Sequence, residues 1–295
     1  MRIPIYPSLI ALLFCFGTNA QIENIEAMRI WSGDSPWTFN SDLTFSYWNN
    51  DGNYNFLVGA SSSVLYKFKD RKDRFNDQVG LRNKLLLIGN YSLLRAEDRD
   101  LDNNWFLHLR YNREFTDFFR VEAFLQSQEN QLLLIDSRRL IGAGVRLKPL
   151  QERAKNNSKR NSLHLYLGLA YMYEQERSEL FDFEVFNHRA SSYLTASFKF
   201  SQSGVTLTNT FYYQPLLKDF TNYRISQDFD MAFPINDVIR FIARFNYFLN
   251  SSSPAGDTEY RSSLLFGLRF RFQSKVSKSG VQIDPEAIKK KRPKN

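Results

Sequence analysis

Apolar and polar residues alternate with a period of two over most of this chain. In the segment YRSSLLFGLRFRF, residues 260–272, Leu268 and Phe270 fall on one parity, and Arg269 and Arg271 fall on the other. Successive side chains of a β-strand point to opposite faces of the sheet. The pattern therefore predicts a strand with one apolar face and one basic face.

Twelve segments show this alternation, and short polar stretches such as Asp51-Gly52 separate most of them. Strands joined by tight turns pair with their neighbours in antiparallel fashion, since parallel pairing needs long crossovers. We predict an all-β, antiparallel up-and-down fold of about 12 strands. The predicted strands are 37–49, 53–69, 84–95, 104–115, 118–128, 138–148, 163–174, 189–200, 205–215, 222–233, 238–250 and 259–272.

Alternation alone does not say whether the apolar face points inward or outward. The interior of an eight-stranded barrel is narrow enough for side chains to fill, whereas a barrel of twelve strands encloses more room. An apolar interior would leave a large void there, which disfavours it. The apolar rows also end in aromatic residues, as in Trp105 to Tyr111 and Leu163 to Tyr173. Aromatic residues at strand ends are typical of barrels that cross a membrane. These features predict a transmembrane β-barrel over residues 37–272, with lipid outside and charges in the lumen.

The opposite parity carries alternating charges, which the barrel interpretation places in the lumen. The lumen-facing charges that we expect are Arg110, Arg120, Glu122, Arg138, Arg146, Asp228, Asp230, Arg240, Arg244, Arg269 and Arg271, and the same parity adds Asp42, Glu114, Lys148, Glu174, Lys199 and Arg224. Cross-lumen ion pairs among these residues would plug the barrel, whereas an open lumen would favour anions because basic residues are in excess. The alternative interpretation is that these charges lie on the solvent-exposed face of a secreted soluble β protein.

The first 20 residues have the features of a secretory signal peptide. Arg2 precedes an apolar run over residues 3–16, and Thr18-Asn19-Ala20 provides small residues before a cut ahead of Gln21. The only cysteine, Cys15, lies inside this segment after the bulky Phe14, which argues against lipidation. We expect residues 21–36 to be a periplasmic segment and residues 273–295 to be a basic, disordered periplasmic tail. This organisation predicts the outer membrane of a Gram-negative-type envelope.

Composition narrows the choice of partners. The formal net charge is +8, and the mean hydropathy of −0.43 is uninformative for a barrel that hides apolar residues at alternate positions. The chain has no zinc-type Cys/His spacing and no RNA-binding aromatic motif, so we expect no nucleic-acid partner.

The candidate catalytic and metal-binding groups do not form a convincing site. His188 and Ser192 share a parity, but they lie roughly 13 Å apart along a strand, too far for a nucleophile and its base. His108 and His164 have lumen parity without the spacing of a metal site. We expect Asp228 and Asp230 to pair with Arg240 and Arg244. We therefore predict no catalytic residue, no metal, no cofactor and no enzymatic activity; the alternative is a lipid-modifying barrel enzyme of the acyl hydrolase type.

The layout of residues 49–272 resembles a domain-of-unknown-function family called salt-induced outer membrane proteins. The resemblance rests on Gly52-Asn53, on the Arg139-Leu140-Ile141-Gly142-Ala143-Gly144 step and on the closing segment 253–272; Tyr54 departs from the usual Thr or Ser. It implies an outer-membrane barrel of no settled activity. The aromatic end of the last strand resembles the assembly signal of such barrels, which implies recognition of Phe270 and Phe272 by barrel-assembly machinery. Outer-membrane lipid and lipopolysaccharide are the other expected partners.

Overall fold

A computed structural model describes residues 35–50, 53–70, 80–96, 99–130, 135–152, 161–178, 183–252 and 260–274. The predicted signal peptide, nearly all of the predicted periplasmic segment and nearly all of the basic tail lie outside these residues. Within them, no helix is long and apolar enough to cross a membrane.

The described residues form twelve strands that follow one another along the chain. The strands are β1 (Trp37–Asn50), β2 (Asn53–Phe68), β3 (Asn83–Ala96), β4 (Arg99–Glu114), β5 (Phe119–Asn130), β6 (Ile135–Glu152), β7 (Ser162–Ser178), β8 (Glu184–Lys199), β9 (Thr206–Leu216), β10 (Asp219–Pro234), β11 (Ile239–Asn250) and β12 (Tyr260–Gln273). β4 and β8 begin about five residues earlier than the sequence pattern predicted, at Arg99 and Glu184. The first residues of these strands do not alternate clearly between apolar and polar.

Each strand pairs antiparallel with the next, and β1 pairs with β12 to close the barrel. In the closing seam, Asp42 faces Arg269 and Leu43 faces Leu268. The charged residues of the two strands therefore lie on one face of the sheet and the apolar residues on the other. Closure leaves the sheet without an unpaired edge, which a barrel in lipid requires. The predicted fold class, an all-β, antiparallel up-and-down transmembrane barrel of about 12 strands, is confirmed.

Apolar side chains cover the outer wall. Phe45 is 64% exposed, Leu264 is 60% exposed and Leu169 is 58% exposed, and similar residues recur at outward positions of the other strands. A soluble protein rarely exposes a continuous apolar surface of this extent. The outward rows of Leu, Phe and Tyr therefore point away from the molecule, as the membrane interpretation requires.

Aromatic side chains concentrate near both ends of the outer wall. At the end where β1 begins and β12 ends, hereafter the terminal end, Trp37 stacks on Tyr66 with ring centroids 4.2 Å apart. Near the opposite end, Tyr173 stacks on Phe186. Such belts suit the two interfaces of a bilayer, where amphipathic rings are favoured.

The inner wall is mainly polar, but it includes an apolar region that the sequence pattern did not predict. Leu65, Leu86, Ile88 and Phe106 form a buried cluster on β2, β3 and β4. The run from Leu85 to Ile88 is apolar on both parities, so alternation gave no sign of which members face inward. This cluster narrows the interior beside the charged residues.

Candidate functional site in the charged barrel interior

The structure places all the expected lumen-facing charges on the inner wall. Arg110, Arg120, Glu122, Arg138, Arg146, Asp228, Asp230, Arg244, Arg269 and Arg271 are buried, and Arg240 is partly buried. Isolated charges are costly to remove from water, so buried ones need partners. Three groups of partners lie at different places in the barrel.

The first group, the Asp42 cluster, consists of Asp42, Asp230, Arg244 and Arg269. Arg269 Nη2 donates to Asp42 Oδ2 at 2.7 Å and to Asp230 Oδ2 at 2.9 Å. Arg244 Nη2 donates to Asp42 Oδ2 at 2.6 Å. The cluster links β1, β12, β11 and β10 beside the closing seam, so it ties the first strand of the barrel to the last.

The second group, the Glu174 cluster, gathers Arg138, Arg189 and Arg224 around Glu174 and Glu176. Arg224 Nη1 donates to Glu174 Oε2 at 2.6 Å, and Arg138 Nε donates to Glu176 Oε2 at 2.6 Å. Two strands separate β10, which carries Arg224, from β7, which carries Glu174. The bond therefore crosses part of the interior.

The third group, the Glu122 cluster, consists of Glu122, Arg110, Asn112, Arg146 and Tyr193. Arg110 Nη1 and Asn112 Nδ2 donate to Glu122 at 2.9 and 2.6 Å. The Tyr193 hydroxyl on β8 also donates to Glu122 on β5, at 3.0 Å. This contact again joins strands that are not neighbours.

Two glycines make room for rings on the inner wall. A Cβ on Gly142 would lie 2.3 Å from Cζ of Phe124, and one on Gly168 would lie 2.0 Å from the ring of Tyr193. A methyl group at either place would displace the ring. Gly142 belongs to the step that carried the family resemblance, and its structural reason is this close approach.

The space between the clusters is small and divided. One cavity of about 40 Å³ lies between the Glu122 and Glu174 clusters, and another of about 80 Å³ lies between the Asp42 cluster and the β2–β3 wall. Phe248 lines both cavities. Arg146 and Arg269 are each only 1% exposed, so little water reaches the charges at these levels. The interior is constricted rather than widely open.

Basic residues collect inside the terminal end. Lys199, Arg240 and Arg271 lie at the ends of their strands there, and Arg240 and Arg271 act electrostatically on Lys199. Arg240, which we expected to pair with Asp228 or Asp230, has no ion pair with any described residue; Asp230 pairs with Arg244 and Arg269 instead. The nearby Glu114 is bound to Arg120 at 2.7 Å.

The histidine candidates have ordinary partners. His188 lies on the exposed outer wall and contacts the Tyr171 hydroxyl, whereas Ser192 Oγ donates to the backbone oxygen of Tyr213. Inside the barrel, His108 contacts Gln126, and His164 contacts the Tyr166 hydroxyl. No group of His, Cys, Asp or Glu suited to a metal occurs among the described residues.

Several interior residues escaped sequence reasoning. Arg189 stood at the first position of its predicted strand and Glu176 beyond the end of its own, yet both complete the Glu174 cluster. Glu176 has the same parity as Glu174, and this parity was the sequence feature that could have indicated an inward position. Tyr193 was missed because alternation assigns a residue to one face of the sheet but does not show which inward residues make contacts across the barrel.

Comparison with known families gives a direct match. The model of the family described as "Protein of unknown function, DUF481" matches residues 76–272, more than half of the chain. The chain belongs to the DUF481 family. The prediction of an outer-membrane barrel family of unknown function is thereby confirmed, while the salt-induced designation stays a prediction. No curated protein matches this DUF481 sequence significantly.

Solved barrels are similar to this DUF481 protein only in outline. The NanC porin is 8% identical, with a TM-score of 0.42, and the match covers 81% of this chain and 100% of that one. The KdgM porin is 9% identical, with a TM-score of 0.39 and coverage of 80% and 99%. An anion-selective porin from Comamonas acidovorans is 7% identical, with a TM-score of 0.35 and coverage of 80% and 98%. Similarity at this level identifies no shared function.

Proposed function

We propose that the protein resides in an outer membrane and forms a narrow passage that admits small anions in preference to cations. The observation that carries this proposal is the surplus of Arg and Lys on the inner wall. Fixed positive charge in a confined, low-dielectric space concentrates anions and repels cations.

The constriction limits what such a passage conducts. The Asp42, Glu174 and Glu122 clusters fill much of the interior, and Phe248 separates the two cavities. Permeation therefore requires local rearrangement of side chains, and we expect a low conductance.

Planar bilayers test the proposal. The full mature chain, reconstituted with a KCl gradient across the bilayer, should give small current steps whose reversal potential favours chloride. Arg240→Gln should shift that potential toward zero, whereas the matched charge removal Lys218→Gln, in an exposed turn at the opposite end, should leave it unchanged. A reversal potential that favours potassium would contradict the proposal.

A second candidate, a purely structural barrel, is supported by the near-complete burial of the charges. Glu174 and Arg269 are each 1% exposed, and their bonds join several strands. In that case the clusters only stabilise the barrel, and no current passes at any voltage. The absence of any conductance in bilayers that demonstrably contain the folded barrel would favour this candidate over the passage.

A further inference from the structure

We infer that Lys199, Arg240 and Arg271 form a binding site for a small oxyanion of the phosphate or sulfate class, inside the terminal end of the barrel. The inference rests on the barrel and its inner wall, and it does not require that the barrel conducts. The three residues are called the terminal triad below.

The register of the strands brings the triad together. Lys199 at the end of β8 faces Thr206 on β9, and Thr206 faces Ala232 on β10. Pro234, two residues after Ala232, faces Arg240 on β11. The short side chains of Thr206 and Ala232 therefore stand between the two long cations, and both are buried on the inner wall. The register therefore places Lys199 and Arg240 on the same inner face near the terminal end, with β9 and β10 between their strands.

Arg240 has unsatisfied donors. Its Nε and Nη1 atoms are buried and have no hydrogen-bond partner in the described part of the chain. A buried donor without an acceptor is costly, and a hydrogen bond from a guanidinium to an oxyanion is charge-assisted and therefore strong. An anion accepting from these atoms would remove that cost.

Charge favours the same ligand. The positive charges of Arg240 and Arg271 repel that of Lys199, and the positive charge of Arg269 repels that of Arg240. Arg271 is held in place by its Nε, which donates to Asn40 Oδ1 at 2.8 Å. Neither Lys199 nor Arg240 has a carboxylate partner among the residues that the structure describes. Mutual repulsion of these cations is relieved by a bound anion.

The nature of the site selects a small oxyanion. The donors are guanidinium N–H groups of Arg240, the ammonium group of Lys199 and the hydroxyl of Thr206, which together suit several oxygen atoms around one centre. Chloride offers no separate oxygen acceptors, so it should bind more weakly than phosphate. The triad lies on the inner wall, away from the outward apolar rows that face lipid.

The test is binding to the full mature chain in a detergent free of phosphate groups. Calorimetric titration with inorganic phosphate, and separately with sulfate, is performed at constant ionic strength set by chloride. Wild type should bind the oxyanions, and Arg240→Gln and Lys199→Gln should each weaken binding by at least about tenfold, since hydrogen bonds to charged groups are the strong ones. Arg240→Lys should retain part of the affinity, and Lys218→Gln should retain all of it.

Two results would overturn the inference: wild type showing no heat beyond that of chloride at equal ionic strength, or Arg240→Gln and Lys199→Gln binding as wild type does. The Lys199 side chain makes no hydrogen bond or ion pair with a described residue, so Lys199→Gln should fold even where Arg240→Gln does not. Because binding is measured without a membrane potential, its failure is distinct from a failure to conduct.

Discussion

The Tyr193 hydroxyl on β8 donates a hydrogen bond to Glu122 on β5, 3.0 Å away, although β6 and β7 lie between their strands. The ring of Tyr193 reaches across because Gly168 on β7 has no side chain in its way. One glycine, one tyrosine and one glutamate thus link two strands that lie three positions apart in the closed sheet. The relationship shows that the interior is organised by bonds across the barrel as well as along its wall.

The Tyr193→Phe substitution should destabilise the barrel without changing its shape. The ring still fills the space over Gly168, but Glu122 loses one donor, at a cost of about 1.5–3 kcal/mol for a bond to a charged acceptor. Urea unfolding in lipid vesicles measures the change. Tyr91→Phe, at an outer-wall residue that is 46% exposed, should have little effect. Equal stabilities for the two variants would contradict the cross-barrel role.

The Gly168→Ala substitution should also destabilise the barrel, because its Cβ would meet the Tyr193 ring at 2.0 Å. We expect a cost of roughly 1–3 kcal/mol from overpacking. Gly89→Ala is a matched control, since a Cβ there meets only Leu107 at 3.9 Å. In the Tyr193→Ala background, most of the cost of Gly168→Ala should vanish; a cost that persists there would place its origin elsewhere.

The Glu174→Gln substitution should be more damaging than the loss of an exposed carboxylate. Arg138, Arg189 and Arg224 all lie within 4.0 Å of Glu174, so its neutralisation leaves buried cations poorly compensated. Breaking a buried pair costs about 3–5 kcal/mol. Asp136→Asn removes the partner of Arg177 in a pair that is about half exposed, where we expect about 0–1 kcal/mol. Similar unfolding midpoints for the two variants would show that the Glu174 cluster contributes little.

The Leu169→Lys substitution examines the outer wall. Leu169 lies near the middle of β7 and is 58% exposed, so in a membrane its side chain contacts lipid tails. A lysine at the bilayer midplane costs about 2–4 kcal/mol, while one near an interface costs about 0–1 kcal/mol. Leu217→Lys, in the turn between β9 and β10, is the interface control. A soluble protein would tolerate both changes equally well.

Periodicity was sufficient for the wall of the barrel but not for its interior. Asp42 and Arg269 were assigned to one face because strict alternation leaves no choice once the strand is recognised. The contact of Arg224 with Glu174 was not predictable, because two strands separate the strands that carry them. The spacing of residues in the sequence does not show which side chains meet across a barrel. Arg189 was missed because the first five residues of β8 do not alternate clearly.

The central claim is that lipid contacts the apolar rows, and a cysteine scan of β8 tests it most directly. In a Cys15→Ser background, single cysteines at Leu194, Thr195, Ala196 and Ser197 carry a fluorescent label in vesicles that contain brominated lipid. Leu194 is 43% exposed on the outer wall, whereas Thr195 and Ser197 are fully buried inside. We predict strong quenching at Leu194 and Ala196 and weak quenching at Thr195 and Ser197. Uniformly weak quenching, or quenching on the opposite parity, would contradict the account.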